Sequence, residues 1–170
     1  LIARPAGDER GRAALKGLDR IDRRILALLQ ENDRLALAEL GQRVGLATSS
    51  VNDRVKRLVK RGVIAGFYAR IAPEPLGLEL LAFMFVGWSD PRTEKPFLKR
   101  ASASASVLEC HHVTGAWNYL LKIRLANTRH LEQFVNDVVK SVKGVQRTET
   151  LIVMSTAKET SALPIANLPS

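Results

Sequence analysis

Residues 18–61 read LDRIDRRILALLQENDRLALAELGQRVGLATSSVNDRVKRLVKR, and the spacing of apolar residues in that stretch predicts three helices. Leu18, Ile21, Ile25, Leu28 and Leu29 recur at helical spacing, with Asp19, Arg20, Asp22, Arg23 and Arg24 on the other face. A second helix over about residues 36–44 turns Leu37, Leu40 and Val44 inward. It stops at Gly45, a residue type that takes left-handed backbone without a Cβ clash. Thr48 or Ser49 is expected to cap the third helix with a side-chain oxygen. That helix buries Val51, Val55, Leu58 and Val59, and a step of about 100° per residue leaves Ser49, Asp53, Lys56, Arg57 and Lys60 outward. Arg54, Lys56, Arg57, Lys60 and Arg61 crowd into eight positions. A short turn, small polar residues at Thr48, Ser49 and Ser50, and a basic third helix together predict a helix-turn-helix unit that reads DNA.

A basic helix alone is ordinarily a solvated face. The distribution of charge argues for more. The 170-residue chain carries 26 Lys and Arg against 17 Asp and Glu, a formal net charge of +9. Residues 1–72 hold 15 of those bases against 8 acids, so +7 of the +9 lies in the N-terminal part of the chain that contains the predicted helices, as an electrostatic footprint for nucleic acid requires. A membrane surface is the competing partner for positive charge, but no helix sets a broad aromatic-rich apolar face opposite its lysines, and no apolar run reaches the length of a span. No secretory signal opens the sequence. Cys110 is the only cysteine, so no intrachain disulfide forms and a reducing, cytoplasmic setting is expected. Cys110 with His111, His112 and His130 matches no metal-ligand spacing, and neither a metal nor a cofactor is expected.

The periodicity changes after Gly62. Val63 to Ile71 is β-prone, and Ala72 to Gly77, with Pro73 and Pro75, reads as a linker. Leu80 to Trp88 is an apolar run of strand length; Thr93 to Ser104 is a helix with Pro96 in its first turn; Val107 to Thr114 is a strand. The order then repeats, with a strand from Asn118 to Ala126, an amphipathic helix from Thr128 to Lys140, and a strand from Val145 to Met154. The predicted fold class is therefore α+β: a winged helix-turn-helix followed by a βαββαβ, ferredoxin-like domain. The expected segments are a basic, flexible arm over 1–17, the helix-turn-helix over 18–62, a strand and linker over 63–78, the βαββαβ domain over 79–156, and a tail over 157–170. One face of such a sheet needs a cover, for which a second copy of the chain is the simplest candidate.

Several short strings appear in this order. Leu18-Asp19 and Ile21-Asp22 open the first helix; Arg54-Val55 and Arg57-Leu58 lie in the third, with Gly62-Val63-Ile64 after it. Val113-Thr114-Gly115 marks the central hairpin, Tyr119-Leu120-Leu121-Lys122 follows, and Gly144-Val145 with Arg147-Thr148 enters the last strand. In order and spacing the chain resembles the leucine-responsive regulatory protein and AsnC family of prokaryotic transcription factors over about residues 18–155. The resemblance implies a DNA-binding regulator whose third helix enters the major groove of double-stranded DNA. Ser49, Ser50, Asn52, Asp53 and Arg57 are then candidates for base edges, and Arg54, Lys56 and Lys60 for phosphates. It also implies a homodimer, held in part by Phe67, Tyr68 and Ile71, that associates into tetramers or octamers. A small effector, usually an amino acid, would bind at the hairpin and near the last strand, at Thr114, Gly115, Ala116, Trp117, Thr148 and Thr150.

The hairpin departs from the family pattern. Acidic residues are common just after that glycine, whereas this chain reads Gly115-Ala116-Trp117-Asn118-Tyr119, which leaves an effector's ammonium group without a carboxylate there. Carbonyls with Thr148 or Thr150 would have to receive it, or the effector is of another kind, or the site is empty. Trp117 reads first as a packed aromatic, and Trp88 as the end of a core strand. Two alternatives stand beside the regulator. One is a nucleoid-like architectural protein without an effector. The other is an enzyme like the sirohaem decarboxylases, which share the two-domain plan and use histidines, although His111 and His112, adjacent on a strand, point to opposite faces and cannot both enter one pocket.

Overall fold

A computed structural model describes residues 17–165. Within them, residues 17–70 with 160–165 form one compact unit and residues 71–159 another. The expected basic arm, Gly17 apart, lies outside the described residues.

In the first unit α1 spans Arg20–Glu31, α2 Leu37–Val44 and α3 Thr48–Lys60. Asp19 caps α1, its carboxylate accepting the Asp22 amide at 2.7 Å, and Gly45 ends α2 with φ of 72°. Ile25, Leu26, Leu28, Leu40, Val51 and Leu58 make the core. Two expectations fail here. The residue before α3 is Ala47, without a side-chain cap, and Thr48 already lies inside the helix. Backbone closes the turn instead: Leu46 N–H donates to the Gly41 carbonyl at 2.9 Å, and a Cβ at Gly41 would stand 2.7 Å from the Leu46 oxygen. Val59 is 46% exposed rather than inward, because it lies about 80° around the helix from Val51 while Val55 and Leu58 stay within about 40°.

The β-prone stretch after α3 forms no strand. The Val63 and Ile64 amides both turn back to the Leu58 carbonyl, at 3.0 and 3.3 Å, and beyond them no ladder appears. A strand exists only beside another strand, and this unit has none among its described residues. Phe67, Tyr68 and Ile71 are left exposed. The described part of the tail, up to Ile165, returns to this unit. Gln30 holds Leu163 by both backbone groups, its amide donating to the carbonyl at 3.1 Å and its oxygen accepting the N–H at 2.7 Å, while Ile165 packs on the core.

The second unit follows the expected βαββαβ order. Its elements are β1 (Leu80–Gly87), α4 (Glu94–Ala103), β2 (Val107–His112), β3 (Tyr119–Leu125), α5 (Thr128–Phe134) and β4 (Arg147–Ile152). The sheet order is β2-β3-β1-β4, antiparallel throughout. Alternation puts Ala82, Met84, Val86, Leu121 and Ile123 on the face that packs against Phe97, Ala101, Phe134 and Val139 of the helices. Phe83, Phe85, Leu120 and Leu151 fall on the other face. The second helix does not run uniformly to Lys140: from Val135 to Lys140 it widens into a π-helical turn, in which Ser141 N–H reaches the Asn136 carbonyl at 3.1 Å. The Asp137 carbonyl is drawn aside by Ser141 Oγ at 2.6 Å and by Arg100 at 3.3 Å.

Gly144, just before β4, has φ of 100°, and a Cβ there would overlap the hydroxyl of the buried Thr93. Gly144→Ala combines left-handed strain with overpacking, and we expect it to cost the second unit about 2 kcal/mol. Urea denaturation followed by Trp fluorescence measures this, because Trp88 and Trp117 both belong to that unit. An unchanged midpoint would contradict the close approach.

Candidate functional site

The outer side of α3 presents Ser49, Ser50, Asp53, Lys56, Arg57 and Lys60 to solvent, with Asn52 and Arg54 half-buried. Arg54 is committed to its own fold. Its guanidinium lies 2.6 Å from the Asp19 carboxylate and 2.8 Å from that of Asp22, whose side chain is 1% exposed. Arg57 reaches Asp22 only at 3.4 Å and keeps half its side chain in solvent, so it can swing outward at little cost. Asp22 is the residue that reading the helix faces missed. Yet it stands three, four and seven positions before Ile25, Leu26 and Leu29, within the buried stripe itself. A carboxylate in that register needs a cation, and α3 supplies it.

The Asp22 amide, then the Arg54 guanidinium, hold the Asp19 carboxyl below its ordinary value of 3.8, while the carboxylates of Asp19 and then Asp22 push Arg54 up. The sign follows. A carboxyl with a depressed folded pKa stabilises fully above pH 3.8, and that contribution is lost as pH falls through the lower folded value. This contribution of Asp19 to the helical unit is therefore lost only in strong acid.

In the second unit the hairpin between β2 and β3 closes with Val113 N–H donating to the Asn118 carbonyl at 3.1 Å. Thr114, Gly115 and Ala116 are exposed, and Gly115 has φ of 102°. Trp117 packs on Phe85, with ring centroids 5.7 Å apart, and the Arg147 guanidinium covers it at 4.6 Å while donating to the Ala116 carbonyl. Arg147 thus ties the start of β4 to the hairpin. Thr148 and Thr150 do not join them. They pair with Val86 and Met84 in the register of the sheet and so share the helical side.

The two neighbouring histidines divide as strand geometry requires. His111 meets Glu109 at 3.0 Å, and Glu109 with Glu159 also holds Lys122, at 3.3 and 2.5 Å. His112 stacks on Tyr119, with centroids 5.0 Å apart, and Trp88 stacks on Tyr119 at 5.6 Å. The Tyr119 hydroxyl donates to Glu94 Oε1 at 2.6 Å; burial, then that carboxylate, pushes its pKa well above the ordinary range. Beside these rings lies a cavity of about 140 Å³ lined by Trp88, Ser89, Pro91, Glu94, His112 and Asn118. Burial also raises the Cys110 thiol, which packs as a small apolar group. Among the described residues no cluster of His, Cys, Asp and Glu is placed to hold a metal.

Comparison with known proteins agrees with both units. Residues 18–65 match the winged helix-turn-helix DNA-binding family, and residues 81–163 match the Lrp/AsnC ligand binding domain. The HTH-type transcriptional regulator FL11 of Pyrococcus abyssi is 37% identical over 148 residues, covering 87% of this chain and 97% of its own. The proline dehydrogenase transcriptional activator of Rhizobium radiobacter is 37% identical over 145 residues, covering 84% and 93%. Among solved structures, a transcriptional regulator of Neisseria meningitidis in complex with L-Met superimposes with a TM-score of 0.83 at 33% identity, over 88% of this chain and 97% of that one. A feast or famine regulatory protein of M. tuberculosis complexed with L-methionine gives 0.80 at 35% identity, over 86% and 99%. These relatives are transcription regulators, which favours that reading over the decarboxylase alternative. With a helix-turn-helix unit, a βαββαβ unit and this likeness along nearly its whole described length, the chain belongs to the Lrp/AsnC family of DNA-binding transcription regulators.

Proposed function

We propose that the chain is a sequence-specific transcription regulator that binds operator DNA as a homodimer and changes its affinity when a small amino acid or related metabolite occupies the second unit. The observation that carries this reading is the division of labour on α3. Arg54 is consumed by Asp19 and Asp22, which fixes α3 against α1, while Lys56, Arg57 and Lys60 remain exposed. Arg57 with Ser49, Ser50, Asn52 and Asp53 faces base edges, Lys56 and Lys60 face phosphates, and Arg54 positions the helix.

Dimerisation is supported by apolar surface that one chain leaves open. Phe67, Tyr68 and Ile71 are exposed, and Phe83, Phe85, Leu120 and Leu151 lie on the sheet face away from the helices. Further association into tetramers or octamers would bring hairpins of different dimers together. The effector reading is supported by the relatives crystallised with methionine and by the exposed Gly115 hairpin. In this role the protein works in the cytoplasm beside the chromosome; among the described residues no helix is long and apolar enough to cross a membrane.

Footprinting of genomic fragments selected by the purified protein tests the reading. Pseudo-palindromic half-sites about 34 Å apart, or a multiple of that, are expected from a two-fold dimer. Protection without half-site spacing at any sequence would favour an architectural, nucleoid-like protein. In the same assay Gly115→Trp, which places a large side chain on left-handed backbone at the hairpin, should abolish the response to the effector while leaving the protein able to bind DNA.

A further inference from the structure

The hairpin from Thr114 to Tyr119 carries no acid, and the fold brings Glu94 into a cavity beside His112 and Asn118. The cavity of about 140 Å³ lies at the base of the Gly115 hairpin, since His112 ends β2, Asn118 closes the hairpin, and both line it. A space of that size holds a molecule about as large as benzene, enough for the head of a small ligand. Its one formally charged lining residue is Glu94, from the first turn of α4.

The neighbouring polar groups are already sorted. Glu94 Oε1 accepts the Tyr119 hydroxyl, and among the described residues Oε2 has no hydrogen-bond partner. Asn118 Oδ1 accepts the Trp88 amide at 2.7 Å, which turns its Nδ2 donors away from that bond. The Ser89 hydroxyl is spent on Gln146 at 2.9 Å, and Pro91 has no N–H. What remains for a guest is one anionic acceptor, one amide donor, and the ring of His112. Tyr119, held between Trp88 and His112 and tied to Glu94, keeps that carboxylate in place.

We infer that this cavity is the ammonium subsite of the effector pocket, that Glu94 is the counter-charge, and that the ligand is a zwitterionic α-amino acid whose carboxylate meets the Asn118 amide and the backbone of the hairpin. The inference rests on the effector reading above and specifies it. Sequence position hid Glu94, because it precedes Gly115 by 21 residues and enters the site only through the packing of α4 on the sheet.

The test uses the full chain and isothermal titration with the proteinogenic L-amino acids, followed by analogues of the tightest one that lack the α-amino group or the α-carboxyl group. Wild type should bind the amino acid and lose about ten- to a hundredfold in affinity for the analogue without the amine, the scale of a charge-assisted hydrogen bond. Glu94→Gln, which retains an acceptor for the Tyr119 hydroxyl, should weaken the amino acid by the same factor and bind the deaminated analogue as wild type does. A thermal melt within a few degrees of wild type certifies the fold of the variant. If wild type binds an amino acid and E94Q binds it equally well, or if wild type binds the deaminated analogue as tightly as its parent, the subsite is wrong while the effector reading stands. If no amino acid binds wild type at all, the subsite fails, and with it the amino-acid form of the effector reading.

Discussion

Arg54→Met should destabilise the helix-turn-helix unit by about 3 to 5 kcal/mol, because it leaves the carboxylate of Asp22 buried with only the 3.4 Å contact to Arg57. The reverse change, Asp22→Leu, costs less, since Arg54 is 22% exposed and retains Asp19. Replacing both should recover most of the loss, because an apolar pair in that place carries no desolvated charge. Urea denaturation followed by far-ultraviolet circular dichroism reads the helices, and Trp fluorescence reads the second unit alone. A helical transition unmoved by Arg54→Met would return Arg54 to the role of a phosphate ligand. In that case its loss should lower DNA affinity and nothing else.

The joint replacement of Lys56, Arg57 and Lys60 by alanine should weaken an operator fragment by about 3 to 5 kcal/mol, roughly 150-fold to several thousandfold. About 1 to 3 kcal/mol of that comes from a guanidinium paired with a base edge, and the remainder from lost phosphate contacts. The salt dependence distinguishes the parts. Each lost phosphate contact lowers the slope of log K against log salt by about 0.9, so Lys56→Ala and Lys60→Ala flatten the slope and weaken all sequences alike. Arg57→Ala should instead erode the preference for the operator over a scrambled fragment. Fluorescence anisotropy across a salt series measures both. Unaltered affinity and slope in the triple variant would place the DNA surface elsewhere.

The sequence announced those parts of the fold that follow from local periodicity. The stripe of Ile25 and Leu28, the stop at Gly45, and the alternation of Leu121 and Ile123 each impose their element on the chain without help from distant residues. What stayed hidden depends on partners far along the chain. Asp22 stands in the apolar register of α1, but the cation that lets it be buried there comes from α3, 32 residues along the chain. The Gln30 amide is ordinary until Leu163 returns to it across 133 residues. Val63 to Ile71 has the composition of a strand, but composition cannot provide the neighbouring strand. The same division holds at the sites. The basic face of α3 is contiguous in sequence and was legible; the ring stack and carboxylate beneath the hairpin gather residues 88, 94, 112, 118 and 119, which only the sheet register brings together.

The most direct measurement of the whole account is the dissociation constant of the full chain for a selected operator and for a scrambled duplex of equal length, each with and without saturating amino acid. The account predicts strong preference for the operator and a change in operator affinity on adding the effector of about 5- to 150-fold, the usual range of coupling between two sites. Equal affinity for both duplexes, unmoved by every amino acid, would contradict it.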